Sequence, residues 1–222
     1  ASLAGIITQC QKEGFTHIYG MINGIQGLLE DHFMDLGTTF NSEEKIDALK
    51  HSPAMYLGSC RYKLPTVSDD KDTYDLLFKK FNDLEITDFF YIGGNDSMDT
   101  VAKLAAYGET INSPIHFIGI PKTIDNDLMG TDHTPGFGSA AKYVASSMLE
   151  IAYDSSIYKL DAITIVEIMG RNAGWLTAAS ALARTECNDA PDLIYLPEVV
   201  FDKERFLKDI EEDTKKLVRE IK

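Results

Sequence analysis

Residues 121 to 127 read Pro121-Lys122-Thr123-Ile124-Asp125-Asn126-Asp127, a lysine and two carboxylates in a segment that suits neither a helix interior nor a core strand. A carboxylate in such a loop can take a proton from an attacking hydroxyl, and a nearby lysine can neutralise phosphate oxygens, so the composition points to chemistry on a phosphate. If Asp125 to Asp127 is extended, period-two geometry sets both carboxylates on one side. Two close carboxylates repel, so one takes up a proton or a cation sits beside them. Two readings stay open on the loop alone: a general base with a metal-associated partner, or an Asx-rich turn that caps the next element.

Two further segments carry candidate chemistry. Gly93-Gly94-Asn95-Asp96-Ser97 follows an apolar run and precedes a helical pattern. Glycines there let the backbone approach a ligand, and the free amides of the helix start face it, which is a phosphate cradle. The alternative is a tight turn with Asp96 or Ser97 as the N-cap. Met169-Gly170-Arg171-Asn172-Ala173-Gly174-Trp175 sets an arginine at a strand end between glycines. Its guanidinium can fork onto a phosphate oxygen pair, or it is a surface arginine at a helix start, where the dipole slightly disfavours it. The five histidines form no metal-ligand spacing, and His133 reads as a loop-shaping hydrogen-bonder.

The elements that must position these residues alternate between short apolar strands and amphipathic helices, which predicts an α/β, doubly wound, mostly parallel sheet with helices on both faces. Helices are expected over residues 3–12, 24–29, 42–49, 70–81, 98–107, from Phe137 along the 140, 141, 144, 145, 148, 149 and 152 stripe, on to about Arg184 after Trp175, and from Asp202. The last shows an apolar face of Phe206, Ile210, Leu217 and Ile221. Strands are expected at 16–20, 89–92, 115–120, 162–168 and 193–196, with a strand or turn at 55–57. Runs 89–92 and 115–120 read as buried strands, so the glycine pair and the acidic loop sit at carboxyl ends, the sheet edge where ligands bind.

The chain has 222 residues, with Lys+Arg 21 against Asp+Glu 35 and a net charge of −14. That charge argues against nucleic acid and anionic membrane as partners, and it demands local cations wherever an anion binds. No stretch approaches the roughly 20 apolar residues of a membrane span. Cys10, Cys60 and Cys187 are widely separated without metal or redox spacing, as in a reduced cytoplasmic protein. The absence of an initiator methionine and of a helix-ending glycine reads as two cut termini.

Together GGNDS at 93–97, PKTIDND at 121–127, MGRNAGW at 169–175 and LPE at 196–198 resemble the phosphofructokinase family in string, order and spacing. Residues 58–61 (GSCR) and 130–139 (GTDHTPGFGS) extend the resemblance over essentially the whole chain. It implies two Rossmann-like domains, of which this chain covers part: a phosphoryl-donor domain over residues 1–136, lacking its first glycine-rich loop, and a partial sugar-phosphate domain over 137–222. It implies that Asp125 is the base for the sugar's 1-hydroxyl, that Asp127 places magnesium and the base, and that Arg171 and Arg61 face the transferring phosphoryl group. By the same resemblance Thr123, Met169, Gly170 and Glu198 hold fructose 6-phosphate. Gly94, Asp96, Ser97 and Lys122 join Arg61 around the donor phosphates, and Asn95 joins Asp127 at the metal.

ATP-dependent members typically carry glycine at the positions of Asp96 and Lys122. A carboxylate at 96 repels the body of ATP while Lys122 neutralises a compact pyrophosphate, so the pair resembles the pyrophosphate-dependent branch. Three departures stand against the family pattern: Asn95 replaces an aspartate, Asp161-Ala162 replace a segment in which ATP-dependent relatives often have an arginine, and the sites are incomplete at both ends. Lys159 stands near enough in sequence to substitute for that arginine but is not assigned the role. The expected activity is therefore magnesium-dependent phosphoryl transfer from pyrophosphate to fructose 6-phosphate by a cytoplasmic homo-oligomer, a dimer or tetramer. The alternatives are an ATP-dependent enzyme and a non-catalytic regulatory subunit.

Overall fold

The structure, a computed structural model, describes residues 1–158 and 162–220, the side chains of 215–220 excepted. Lys159, Asp161 and Ile221, and the side chain of Leu217, fall outside the description. The chain divides into two compact units, Ala1–Pro121 and Lys122–Lys222.

The first unit is built on a β-α-β element. Strand β3 (Asp88–Gly93) pairs in parallel with β4 (His116–Pro121), joined by helix α6 (Asn95–Thr110), which packs on both. The register sets Gly93 opposite Pro121, so the two motif-bearing loops leave the sheet at one edge. Close packing of α6 depends on small residues. A Cβ at Gly119 would stand 2.8 Å from Met98 Sδ, and one at Gly108 would stand 3.3 Å from Phe117.

Beneath the sheet, helix α5 (Lys71–Asp83) buries Tyr74, Leu77, Phe78 and Phe81. Asp70 caps it by accepting from Thr73 N at 3.1 Å. Phe78 and Phe81 meet Phe117, Phe89 and Tyr107 in edge and tilted contacts 5.2 to 5.8 Å apart, the spacing aromatic rings prefer. A second cluster, with Ala4, Ile7, Leu36, Phe40 and Leu49, joins α1 (Ser2–Lys12), α3 (Leu36–Thr39) and α4 (Glu43–His51). Beside it β1 (Tyr19–Met21) pairs antiparallel with β2 (Phe33–Asp35), and α2 (Gly24–Leu29) lies between them in sequence.

In the second unit, α7 (Phe137–Ser156) packs on α8 (Trp175–Ala179) and the 3-10 turn Ser180–Ala183 through a small core of Ala141, Leu176 and Ala179. Helix α9 (Lys203–Glu220) follows, capped by Asp202, whose Oδ1 accepts from Glu204 N and Arg205 N.

Several sequence expectations are corrected. The 16–20 strand lies instead at Tyr19–Met21 in an antiparallel ribbon, and 55–57 resolves as a turn closed by Gly58 N on Met55 O at 3.0 Å. Runs 162–168 and 193–196 form no ladder, because no neighbouring strand stands beside either among the described residues, and residues 162–167 are exposed. For the same reason β3 and β4 are half-buried rather than fully buried: each has one strand partner, and Ile118 remains 40% exposed. The stripe on α7 is also more open than a core helix, with only Ala141 buried.

Leu77 is fully buried in the aromatic core. Leu77→Ala is expected to lower stability by about 2–5 kcal/mol, read from the urea unfolding curve, and an unchanged midpoint would contradict this packing.

Candidate functional site

In the second unit the acidic loop is shaped by one left-handed residue. Asn126 has φ 60°, a conformation asparagine tolerates better than most side chains. Its buried amide bridges the loop: Nδ2 donates to Asp132 O at 3.0 Å, and Oδ1 accepts from Thr134 N at 2.9 Å. Thr134 is buried too, and its hydroxyl donates to Thr123 O at 2.7 Å. Thr123 Oγ1 in turn accepts from Asp125 N at 3.0 Å.

This backbone is not extended, so the expectation that Asp125 and Asp127 share a side fails. The left-handed turn at Asn126 breaks the two-residue alternation and leaves Asp125 half-buried and Asp127 exposed. Asp125 Oδ1 is buried with no hydrogen-bond partner among the described residues. Buried polar atoms in folded proteins are almost always paired, so this oxygen is open to a partner from outside the described residues.

Asp125 lines an open cleft of about 660 Å³ with Glu167, Ile168, Met169, Gly170 and Arg171. The structure thus brings together four of the expected residues, Asp125, Met169, Gly170 and Arg171. It adds Glu167, which the sequence reading missed. The signal was its place two residues before Met169, the spacing that shares a side wherever a chain is extended. Gly170 has φ 135°, and a Cβ there would lie 2.3 Å from Ala173 O, so only glycine fits.

The other expected residues do not line this cleft. Thr123 is occupied in shaping the loop. Glu198 Oε1 accepts from Gly174 N at 2.7 Å, which ties the LPE segment to the start of α8. Lys122 and Asp127 are exposed.

In the first unit Gly94, rather than Asp96 or Ser97, is the N-cap of α6. It offers no side chain to the helix amides, and Asn95 and Asp96 lie exposed in the first turn. Gly93 makes the turn possible, since a Cβ there would meet Ser97 Oγ at 2.1 Å. The segment carrying Arg61 alternates: Cys60 and Tyr62 pack on the core and Leu64 is buried, while Arg61 and Lys63 are exposed. Lys63 is a second cation that sequence reasoning passed over. Burial, offset in part by the Ile25 amide and the Ser97 hydroxyl, pushes the Tyr91 phenol up to about 12.

Among the described residues no group of three or more His, Cys, Asp or Glu side chains could hold a metal ion, and no helix is long and apolar enough to cross a membrane. A metal in the cleft would thus rely on few protein carboxylates, those of Asp125 and Glu167.

A family model for phosphofructokinase matches residues 1–221, and the chain belongs to that family. It is 41% identical over 220 residues to a pyrophosphate--fructose 6-phosphate 1-phosphotransferase of Halomonas elongata, covering 97% of this chain and 52% of that protein. The crystal structure of a pyrophosphate-dependent phosphofructokinase from Marinobacter aquaeolei superposes with TM-score 0.78 at 40% identity, over 95% of this chain and 52% of that one. An ATP-dependent 6-phosphofructokinase of Buchnera aphidicola matches at 30% identity over 97% of this chain and 61% of that protein. The chain spans about half the length of the pyrophosphate-dependent relatives it matches.

Two outcomes follow from this geometry. Asn126→Ala leaves Thr134 N and Asp132 O without their partner and is expected to cost about 1–3 kcal/mol, with faster amide exchange confined to residues 122–136. Unchanged exchange there would contradict the bridge. Tyr91 has a folded pKa above its unfolded value of 10.0, so its contribution to stability is present below that value and is lost as pH rises toward about 12. Tyr91→Phe should therefore flatten the fall of unfolding free energy between those two pH values. An equal slope in both proteins would contradict the shift.

Proposed function

We propose that the protein carrying this chain transfers a phosphoryl group from pyrophosphate to the 1-hydroxyl of fructose 6-phosphate, with magnesium, giving fructose 1,6-bisphosphate. The observation that carries this reading is Asp125, which lines a cleft with Arg171 and has one carboxylate oxygen buried without a hydrogen-bond partner among the described residues. A carboxylate oxygen with no protein partner is free to accept the proton of an attacking hydroxyl, and an arginine in the same cleft can neutralise phosphoryl charge. Met169 and Gly170 shape the wall where the sugar lies, and Glu198 holds the turn that carries them. Residues 1–136 bind donor phosphates, and 137–222 form part of the sugar-phosphate domain.

On the donor side, within the first unit, the uncapped amides at the start of α6, with Ser97 and the cation Arg61, suit a small polyanion, and Lys122, in the second unit, is an exposed cation of the kind a compact polyanion needs. Asp96 is exposed in that first turn, where its charge opposes a bulkier nucleotide. The relatives named for pyrophosphate match at higher identity than the ATP-dependent one described above, which supports the same choice. Asp125 and Asp127, in the second unit, are hard oxygen donors of the kind magnesium prefers, and Asn95, in the first, carries a neutral carbonyl where the family usually has a carboxylate. The metal, when bound, would offset the charge gathered on the transferring phosphoryl group. The protein is proposed to be a cytoplasmic homo-oligomer. Asn95 is the one feature that favours a non-catalytic subunit.

The test is a coupled assay of fructose 1,6-bisphosphate formation by the full-length protein with magnesium, comparing pyrophosphate and ATP. Turnover with pyrophosphate alone is expected, with kcat lowered about 10²- to 10⁴-fold in Asp125→Asn. Turnover with ATP alone would overturn the donor assignment, and none with either would favour the non-catalytic reading.

A further inference from the structure

The Tyr91 hydroxyl sits where three segments of the first unit converge, and the proposed chemistry leaves it unused. It accepts a hydrogen bond from Ile25 N, in the first turn of α2, at 3.3 Å. A Cβ built on Gly24 would lie 3.1 Å from that hydroxyl and 3.4 Å from Cys60 Sγ, so glycine at 24 is what lets the three groups close together. Gly24 also has φ 61°, which glycine adopts without cost. The Ser97 hydroxyl, in the first turn of α6, stands close enough to the phenol to offset part of the upward push that burial gives it. Gly58 adds a second close approach between the same segments, since a Cβ there would meet Asn23 Oδ1 at 2.3 Å.

Arg61 is the residue after Cys60. Cys60 and Tyr62 are turned to the core, and Arg61 is turned out. Any sliding of this strap would therefore move the guanidinium. Its backbone takes no part in a sheet: Leu57 O accepts from Asn23 N at 2.7 Å before it and Leu64 O accepts from Lys103 Nζ of α6 at 2.9 Å after it, and between these anchors side-chain contacts fix its height relative to the start of α6.

We infer that Tyr91 is a positioning residue for donor binding: its hydroxyl, seated between Ile25 N, Cys60 and Ser97, locks the Arg61 strap to the phosphate cradle. The phenol is suited to this because burial keeps it protonated across the working pH range, so it can accept from the Ile25 amide and still donate one hydrogen bond. A phenylalanine would fill the same space and lose the bond from Ile25 N. The kinetic consequence rests on the function proposed above, whereas the mechanical consequence does not.

The test compares the full-length protein with its Tyr91→Phe variant. Hydrogen exchange should accelerate at least tenfold at the amides of residues 24–26 and 58–62, with α5 unaffected. The KM for pyrophosphate should rise about fivefold, the factor expected for one net hydrogen bond, while the KM for fructose 6-phosphate and kcat stay within about twofold. Unchanged exchange at 24–26 and 58–62 would overturn the inference even in a protein that never uses pyrophosphate. A rise in both KM values together would also overturn it, because a merely structural loss moves both. If Tyr91→Phe does not fold, Cys60→Ala removes one neighbour alone and should speed exchange at 58–62, and its failure to do so would equally count against the lock.

Discussion

The acidic loop depends on a single buried amide. Asn126 turns left-handed and spends its side chain on Asp132 O and Thr134 N, so the backbone between Thr123 and Thr134 closes on itself. That closure sets Asp125 at the wall of a cleft with one oxygen buried and unpaired, while its neighbour Asp127 faces solvent. A residue without a short side-chain amide could not supply both bonds, since one needs an acceptor and the other a donor, and one that resists positive φ could not make the turn. The asymmetry of the two carboxylates is therefore a result of backbone conformation.

The first unit meets a different constraint. Its loops must approach closely enough for the backbone to serve a polyanion in a chain that is strongly acidic overall, so side chains are removed where segments cross. Gly24, Gly58 and Gly93 each stand where a Cβ would collide or crowd a neighbour. Rigidity comes from below, where Phe78, Phe81, Phe89 and Phe117 interlock α5 with β3 and β4. The polar turn at Gly93 to Ser97 thus rests on an apolar platform that has no reason to shift when a ligand binds.

Much of this was legible in the sequence because the signals were local. The helix expected over 24–29 has its true bounds, and those expected over 70–81 and from Phe137 to 152 match Lys71–Asp83 and Phe137–Ser156 to within a turn, since apolar periodicity marks them. The GGNDS turn after an apolar run was equally plain. Ladders were less so: 162–168 has the composition of a strand, yet strand formation depends on a partner that local composition does not contain. The two carboxylates share a side only if the loop is extended, and one left-handed residue between them removes that condition. Glu167, Lys63 and Tyr91 were missed for a related reason. Their importance comes from what lies across from them in space, which the runs that carry them do not spell out.

The most direct test of the account is a crystal structure of the full-length protein with fructose 6-phosphate bound. The account places the sugar's 1-hydroxyl oxygen within hydrogen-bond reach, about 2.6–3.2 Å, of Asp125 Oδ1, with Asn126 still left-handed between Asp132 and Thr134. A sugar seated elsewhere, with Asp125 Oδ1 taken up by a protein group, would contradict it.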